Sequence, residues 1–305
     1  MQCDACRREA VVFQPYSGKH LCPVHFTRDL EAKAKRTIRT HGWLRPGDHI
    51  AVASSGDAPS AALLSFLFHL TANRRDVRLS AITVDPGITG YPVAEQAGTI
   101  AGACGVPWFS GSFAERYSVT MDKLMRQEGQ ESACRSCRVL AGDLIGEIAA
   151  AQCVTRCAFA TSVDEIAEAF FTDLITGSVE HTLFPRHFVG RSGIPVIRPF
   201  MEIPAAEVAR YAELHATSAV PCGFLPSCPC TVGSSRAADA RAALDVYDHR
   251  HPATKFALAN LAGTLAGIAA GFDPAPVCPA CGSPLSGGKC EGCGIRRNTG
   301  RGTLA

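Results

Sequence analysis

Fifteen cysteines stand in this 305-residue chain, and most are spaced in pairs two residues apart. Cys3-Asp4-Ala5-Cys6 and Cys22-Pro23-Val24-His25 make a C-x2-C…C-x2-H pattern across a polar turn containing Ser17-Gly18. Three thiolates and one imidazole are a donor set for tetrahedral Zn²⁺, and a closed shell of four protein ligands is structural rather than catalytic. Near the other end, Cys278-Pro279-Ala280-Cys281 and Cys290-Glu291-Gly292-Cys293 repeat the idea, with Gly282 and Gly294 just after each pair. That knuckle, loop, knuckle spacing is a zinc-ribbon pattern. Two Zn²⁺ ions are therefore expected. Modules this small cannot fold on apolar burial alone, so the metal supplies their folding energy.

The remaining thiols point to a different use. Cys134-Arg135-Ser136-Cys137 is expected just ahead of a helix over Arg138–Gln152. Thiols at a helix N-terminus beside arginines ionise more easily than free cysteine, which suits metal ligation or sulfur chemistry. Downstream, a Pro- and Gly-rich loop holds Cys222, Cys228 and Cys230. Cys134 and Cys137 with one thiol of that loop would bind three irons of a [4Fe-4S] cluster and leave the fourth open. A fourth cysteine from the loop would close the cluster instead. A third zinc site and a redox-active dithiol are the other arrangements these residues allow. Cys104, Cys153 and Cys157 lie in apolar runs and are expected to be buried small residues.

Apolar residues make up 47% of the chain and charged ones 19%, a globular composition rather than a disordered one. The formal net charge of +2 says little by itself. No apolar run reaches the length of a membrane span, and the first residues, MQCDACRREA, lack a signal-peptide core. Paired cysteines without a secretory signal favour metal sites in a reducing compartment, so a cytoplasmic location with no membrane partner is expected. Basic residues on a predicted helix over Phe26–Gly42 (Lys33, Lys35, Arg36, Arg39) and in the tail from Arg296 to Arg301 make either solvated surfaces or nucleic-acid contacts.

Positioning these groups requires a frame, and the pattern between the cysteine modules is strand and helix in alternation. Ile50-Ala51-Val52-Ala53 reads as a buried strand, Ser54-Ser55-Gly56-Asp57 as a turn, and Ala61–Phe68 as a helix with Pro59 in its first turn. Strand, small-residue loop and helix N-terminus together present backbone N–H groups to a phosphate. Further strands are predicted over Arg78–Val84, Pro107–Ser110, Arg156–Thr161 and Pro195–Ile197. Helices are predicted over Ala94–Cys104, Ser118–Glu128, Asp164–Thr176, Pro204–His215, Arg236–Tyr247 and Ala253–Ala269. Repeated βα units of this length give an α/β fold: a parallel, doubly wound, Rossmann-like sheet covered on both faces and flanked by the N- and C-terminal zinc modules. Ligands of such sheets sit beyond the carboxyl ends of the strands. That places Ser54–Ser60, Asp85 and Thr161–Asp164 on one rim.

The loop resembles the PP-loop of ATP pyrophosphatases, S-G-G-x-D-S, read here as Ser55-Gly56-Asp57-Ala58-Pro59-Ser60. The whole chain is similar to the TtuA/TtcA group of tRNA 2-thiolation enzymes, in the branch flanked by two zinc modules. The resemblance runs through the N-terminal cysteines, the loop, Asp85-Pro86-Gly87-Ile88-Thr89-Gly90-Tyr91, Ser112-Phe113, Met121-Asp122 and the Cys134/Cys137 pair. It continues through Arg198-Pro199, Cys228-Pro229 with Ser234 and Arg236, and His251-Pro252 with Lys255. It implies three parts: residues 1–27 as a zinc finger, 28–272 as the PP-loop, HUP-type catalytic domain, and 273–305 as a zinc ribbon with a basic tail.

It further implies a [4Fe-4S] cluster on Cys134, Cys137 and Cys228 and sulfur insertion into a tRNA uridine. Asp164 would act with the cysteines in catalysis, while Ser54, Ser55, Gly56, Ser60 and Asp85 would face ATP and Mg²⁺. The implied partners are tRNA, a sulfur donor (sulfide or a ubiquitin-like thiocarboxylate protein) and a second copy of the chain. Departures fall where ATP would be handled. The loop's second Gly is Asp57 and its Asp is Pro59, and the family's G-H-N-x-D-D segment is Ala160-Thr161-Ser162-Val163-Asp164-Glu165. Cys222 and Cys230 are additions that could complete the cluster or shuttle sulfur. Two other readings stay open at this point: an ATP-independent sulfurtransferase or desulfurase of a small molecule using the same cluster, and a non-catalytic tRNA-binding paralogue.

Overall fold

The computed structural model describes residues 1–177, 180–183, 189–215, 236–271, 278–279, 285 and 289–298. The chain opens with an antiparallel hairpin, β1 (Val12–Gln14) and β2 (Lys19–Leu21), turned at Gly18 with φ 69°. It passes directly into α1 (Pro23–Thr40). Proline suits that first helical position because its missing N–H has no partner there anyway. Phe26, Leu30, Ala34 and Ile38 recur every four residues on α1, are all buried, and join Cys3 and Cys22 to one core that includes Ile50 and Val52 of the main sheet. The N-terminal module is thus continuous with the α/β body through one helix and one core.

That body alternates β3 (His49–Ala53), α2 (Ala58–Thr71), β4 (Arg78–Asp85), α3 (Val93–Cys104) and β5 (Trp108–Ser112). It continues with α4 (Phe113–Tyr117), α5 (Met121–Glu128), α6 (Gln130–Ala151), β6 (Arg156–Ala158), α7 (Val163–Thr176), α8 (Glu180–Leu183), β7 (Val196–Ile197) and α9 (Ala205–His215). Then follow α10 (Arg236–Arg250), α11 (Thr254–Ala269) and α12 (Glu291–Asn298). Five strands pair in parallel in the order β5-β4-β3-β6-β7. The order runs outward in one direction from β3 through β5 and in the other through β7. The switch point therefore lies between β3 and β6, where open α/β sheets bind ligands.

Successive strand residues face opposite sides. Ile50, Val52 and Ala81 enter the core shared with α1, α2, α3 and α9, whereas Ala51, Ile82 and Cys157 enter the core beneath α6. α2 is buried over most of its circumference, Ala58 and Ser60–Leu67 included, as expected of a helix that is apolar all round. Gly190 (φ +49°) lets the turn before β7 press on α6: a Cβ there would lie 2.5 Å from Gly142 O.

Three expectations change. The helix predicted over Ser118–Glu128 begins only at Met121, because Ser118 (φ 55°) ends the preceding short helix α4 and Thr120 caps α5 through its side chain. Cys153 is exposed rather than buried, since it follows the C-cap of α6 with φ 54°. On α1, Lys33 pairs with Asp29 at 2.6 Å and with Glu207 at 3.5 Å, Lys35 with Glu31 at 2.7 Å, and Arg36 with Glu202 at 3.2 Å. Most of that basic face is therefore spent within the chain. Among the described residues no helix is long and apolar enough to cross a membrane.

Candidate functional site

Cys3, Cys6, Cys22 and His25 converge at one point, their ligand atoms all within 4.8 Å of one another. Cys6 Sγ lies 3.6 Å from Cys22 Sγ, and His25 Nδ1 lies 3.5 Å from Cys3 Sγ and 3.3 Å from Cys22 Sγ. Ligands at Zn–S distances around a tetrahedron stand about 3.8 Å apart, so this cage fits such an ion. The hairpin aligns the first pair against the start of α1, and α1's first turn carries His25. Burial pushes the Cys3 thiol up, but the backbone amides of Cys22, Ala5 and Cys6 outweigh it and bring it down to about 6. A thiolate is the form a metal takes.

At the other end Cys278, Cys290 and Cys293 also converge, with Cys278 Sγ 3.7 Å from Cys293 Sγ. Cys281 lies outside the described residues. Both terminal clusters could hold a metal ion.

The second thiol pair belongs to α6. Cys134 and Cys137 do not precede this helix, as the sequence led us to expect; they sit in its first two turns. α6 starts at Gln130, immediately after Gly129 with φ 75° terminates α5. A spacing of three on a helix puts both sulfurs on one face. That face packs half-buried in a cluster formed by Phe113, Tyr117, Val119, Met121, Leu124 and Leu140, with Val84 of β4 and Ile88 of the loop that follows it. Between the thiols, buried Ser136 donates from Oγ to Glu128 Oε2 at 2.9 Å, fixing the α5–α6 corner. Ile295 of α12 packs against the same cluster. The C-terminal cysteine module thereby abuts the face that carries Cys134 and Cys137. Cys222, Cys228 and Cys230 lie outside the described residues.

The rim of the sheet is assembled from three loops. After β3, Asp57 caps α2 by accepting from Ser60 N at 2.9 Å, and Ser60 Oγ accepts from Ser55 N at 3.2 Å. After β4, Asp85 accepts from Gly87 N at 2.8 Å, while Asp122 takes the N–H and hydroxyl of Thr89 at 3.0 and 2.6 Å. Tyr91 reaches back and donates to Ser55 O at 2.9 Å. After β6, Ser162 and Glu165 form a reciprocal capping box on α7. Asp164 accepts from Lys255 Nζ and from Ala205 N, both at 2.7 Å. Ser54, Ser55, Gly56, Ser60, Asp85 and Asp164 are thus gathered at the carboxyl ends of β3, β4 and β6. Most of their hydrogen-bonding capacity is turned inward. Sequence reasoning missed the roles of Tyr91, Glu128 and Lys255; the matches of Tyr91 and Lys255 to family positions were the signal that could have found two of them.

A profile of the PP-loop domain matches residues 26–219. The chain belongs to the PP-loop family. A second profile, described as 2-thiouridine synthetase TtuA, N-terminal LIM domain, matches residues 2–27. The tRNA 2-thiolation protein NcsA of Haloferax volcanii is 25% identical over an alignment of 320 positions, spanning 96% of this chain and 97% of that protein. The cytoplasmic tRNA 2-thiolation protein 1 of Drosophila pseudoobscura pseudoobscura is 28% identical over 221 residues; the alignment spans 70% of this chain and 64% of that one. Among solved structures, the U34-tRNA thiolase NcsA of Methanococcus maripaludis, with its [4Fe-4S] cluster, superposes with a TM-score of 0.78 at 19% identity. It covers 100% of this chain and 98% of that one. That likeness is one of fold, and it extends from end to end.

Proposed function

We propose that this chain binds a [4Fe-4S] cluster on Cys134, Cys137 and Cys228 and uses it to place sulfur on a uridine of tRNA. In this reading Zn²⁺ occupies the cage of Cys3, Cys6, Cys22 and His25, and a second ion the site of Cys278, Cys281, Cys290 and Cys293. The observation that carries the reading is the pair of thiols on one face of α6, half-buried among apolar side chains at the rim of the sheet. Full-length similarity to proteins named for tRNA 2-thiolation supports it.

Bound on three thiolates, the cluster would supply one iron open to a sulfur ligand. The protein supplies the rest. Arg135 and Arg138, exposed beside the thiols, favour the ionised sulfurs that iron needs. The surrounding apolar residues keep water from the cluster's buried side. tRNA is the macromolecular partner, sulfide or a ubiquitin-like thiocarboxylate protein the donor, and a homodimer in the cytoplasm the working form.

Anaerobic purification followed by absorption and electron paramagnetic resonance tests the cluster. Iron and the cluster spectrum should be present in the natural chain and lost in Cys134→Ala, with the two zinc ions retained. Nucleosides from tRNA of a deletion strain should lack a thiouridine that the natural chain restores and Cys134→Ala does not. A colourless protein with three zinc ions, or an unchanged thionucleoside profile, would overturn the proposal.

A further inference from the structure

A loop of this kind holds a phosphate with the amides of the turn and the N-terminus of the following helix. Here two of those donors, Ser60 N and Ser55 N, are already taken by groups of the chain itself. The Asp57 carboxylate takes Ser60 N at 2.9 Å, the hydrogen bond that a bound phosphate oxygen would need. Ser60 Oγ takes Ser55 N at 3.2 Å and donates to Asp57 O at 3.1 Å, and Pro59 has no N–H to offer. The turn is held in this form from outside as well. Tyr91 donates its hydroxyl to Ser55 O, and the Gly56 backbone is pressed on α3 so closely that a Cβ would stand 3.0 Å from Gln96 Cβ and 3.3 Å from Ala97 N.

The charge around the turn is of the wrong sign for a polyphosphate. Glu165, at the head of α7, is pushed up first by desolvation and further by Asp57 and Glu168; Glu168 is paired with Arg241 at 2.9 Å, which leaves Asp57 and Glu165 as the carboxylates facing the turn. Asp164, the other acid of that segment, is committed to Lys255. Ser54 Oγ is the buried side-chain atom of this turn without a partner among the described residues, and it favours a ligand oxygen. A single hydroxyl does not offset the carboxylates.

We infer that Asp57 closes the phosphate seat of the PP-loop from within, so that this chain carries out its sulfur chemistry with no ATP bound there. Resting on the sulfur-insertion reading above, the inference also defines the substrate class. Sulfide does not displace an oxo group from a nucleobase carbon, because oxide is too poor a leaving group. The carbon must therefore reach this chain already bearing a better one. A sulfur lone pair then forms the new C–S bond while the bond to that group breaks and the group leaves with its electron pair; no electron is gained or lost. A separate activating reaction must come first.

Calorimetric titration of the full chain, purified anaerobically, with MgATP and with pyrophosphate reads the seat directly and is independent of the cluster's spectrum. The natural chain should show no saturable binding, whereas Asp57→Gly should bind both, at least about tenfold more tightly than the detection limit. Glycine costs little at a helix N-cap, and a melting curve confirms the fold of the variant. The triple variant Asp57→Gly, Ala58→Lys, Pro59→Asp should bind more tightly again. Saturable ATP binding by the natural chain that pyrophosphate displaces would overturn the inference, and so would a folded Asp57→Gly that binds no better than the natural chain. Loss of the cluster spectrum with ATP binding absent would instead overturn the function proposed above and leave the closed seat standing.

Discussion

Lys255→Met should destabilise the chain by about 2 kcal/mol, and the way that loss combines with Asp164→Asn decides what Asp164 is for. Lys255 Nζ lies 2.7 Å from Asp164 Oδ1 and 2.6 Å from Asp245 Oδ1. The Lys255 side chain is 11% exposed, Asp164 17% and Asp245 56%. The arm to exposed Asp245 contributes a few tenths of a kcal/mol at most. The arm to Asp164 is a charge-assisted hydrogen bond between shielded groups, which contributes roughly 1.5–3 kcal/mol. Burial lowers the lysine's pKa, but the two carboxylates outweigh it and hold the ammonium charged.

Removing the lysine leaves Asp164 with the N–H of Ala205, so the cost falls short of the roughly 3–5 kcal/mol of a fully orphaned buried charge. For a chain of 305 residues about 2 kcal/mol lowers the melting temperature by roughly 3 °C. A double-mutant cycle in urea, run anaerobically, should give a coupling of about 1–2 kcal/mol, well outside the ~0.5 kcal/mol scatter of independent sites. Additive losses would refute the pairing. If Asp164→Asn abolished activity at unchanged stability while Lys255→Met left activity intact, the carboxylate would be catalytic rather than a clamp between α7 and α11.

Acid should weaken the fold through His49, the buried first residue of β3. Its Nε2 lies 2.9 Å from Ser80 Oγ, its Nδ1 has no partner among the described residues, and burial together with Arg78 pushes its pKa down. The unfolded chain takes up a proton near pH 6.5 that the folded chain refuses. Stability is therefore full above that pH and falls below it, by at most about 1.4 kcal/mol per pH unit, until the folded pKa is reached. Urea midpoints between pH 7.5 and 5.5 should show the loss, with a shallower slope for His49→Gln; an identical slope in the variant would remove His49 as the cause. Cys22→Ser should release one metal ion per chain and lower stability by at least about 4 kcal/mol, as losing a structural metal does, because Cys22 is both a cage corner and a member of the core. Elemental analysis and a melting curve check this, and a variant that kept its full metal content and its melting temperature would refute it.

Much of the architecture was legible in local pattern. Apolar runs such as Ile50–Ala53 and the period of the intervening helices located all five strands of the main sheet, and C-x2-C…C-x2-H foretold the cage that Cys3, Cys6, Cys22 and His25 form. Both signals are short-range: strand burial shows in a few consecutive side chains, and a chelate needs its ligands close along the chain. The helix through Cys134 and Cys137 was drawn too short. Nothing local marks its start except Gly129, and packing on Phe113, Met121 and Leu140 stabilises the first turns.

What the sequence determined by itself was the inventory: which donors exist, which are paired, and the α/β frame that carries them. Tertiary structure alone decided how they are spent. Tyr16 donates to Glu207 at 2.5 Å across 191 positions, Lys255 meets Asp164 across 91, and Ile295 is brought against the α6 thiol face. Asp57 reads in sequence as a charge facing a ligand and in space as the cap of its own helix. A carboxylate takes whichever donors the fold brings within 3 Å, and the chain's one-dimensional order does not record that distance.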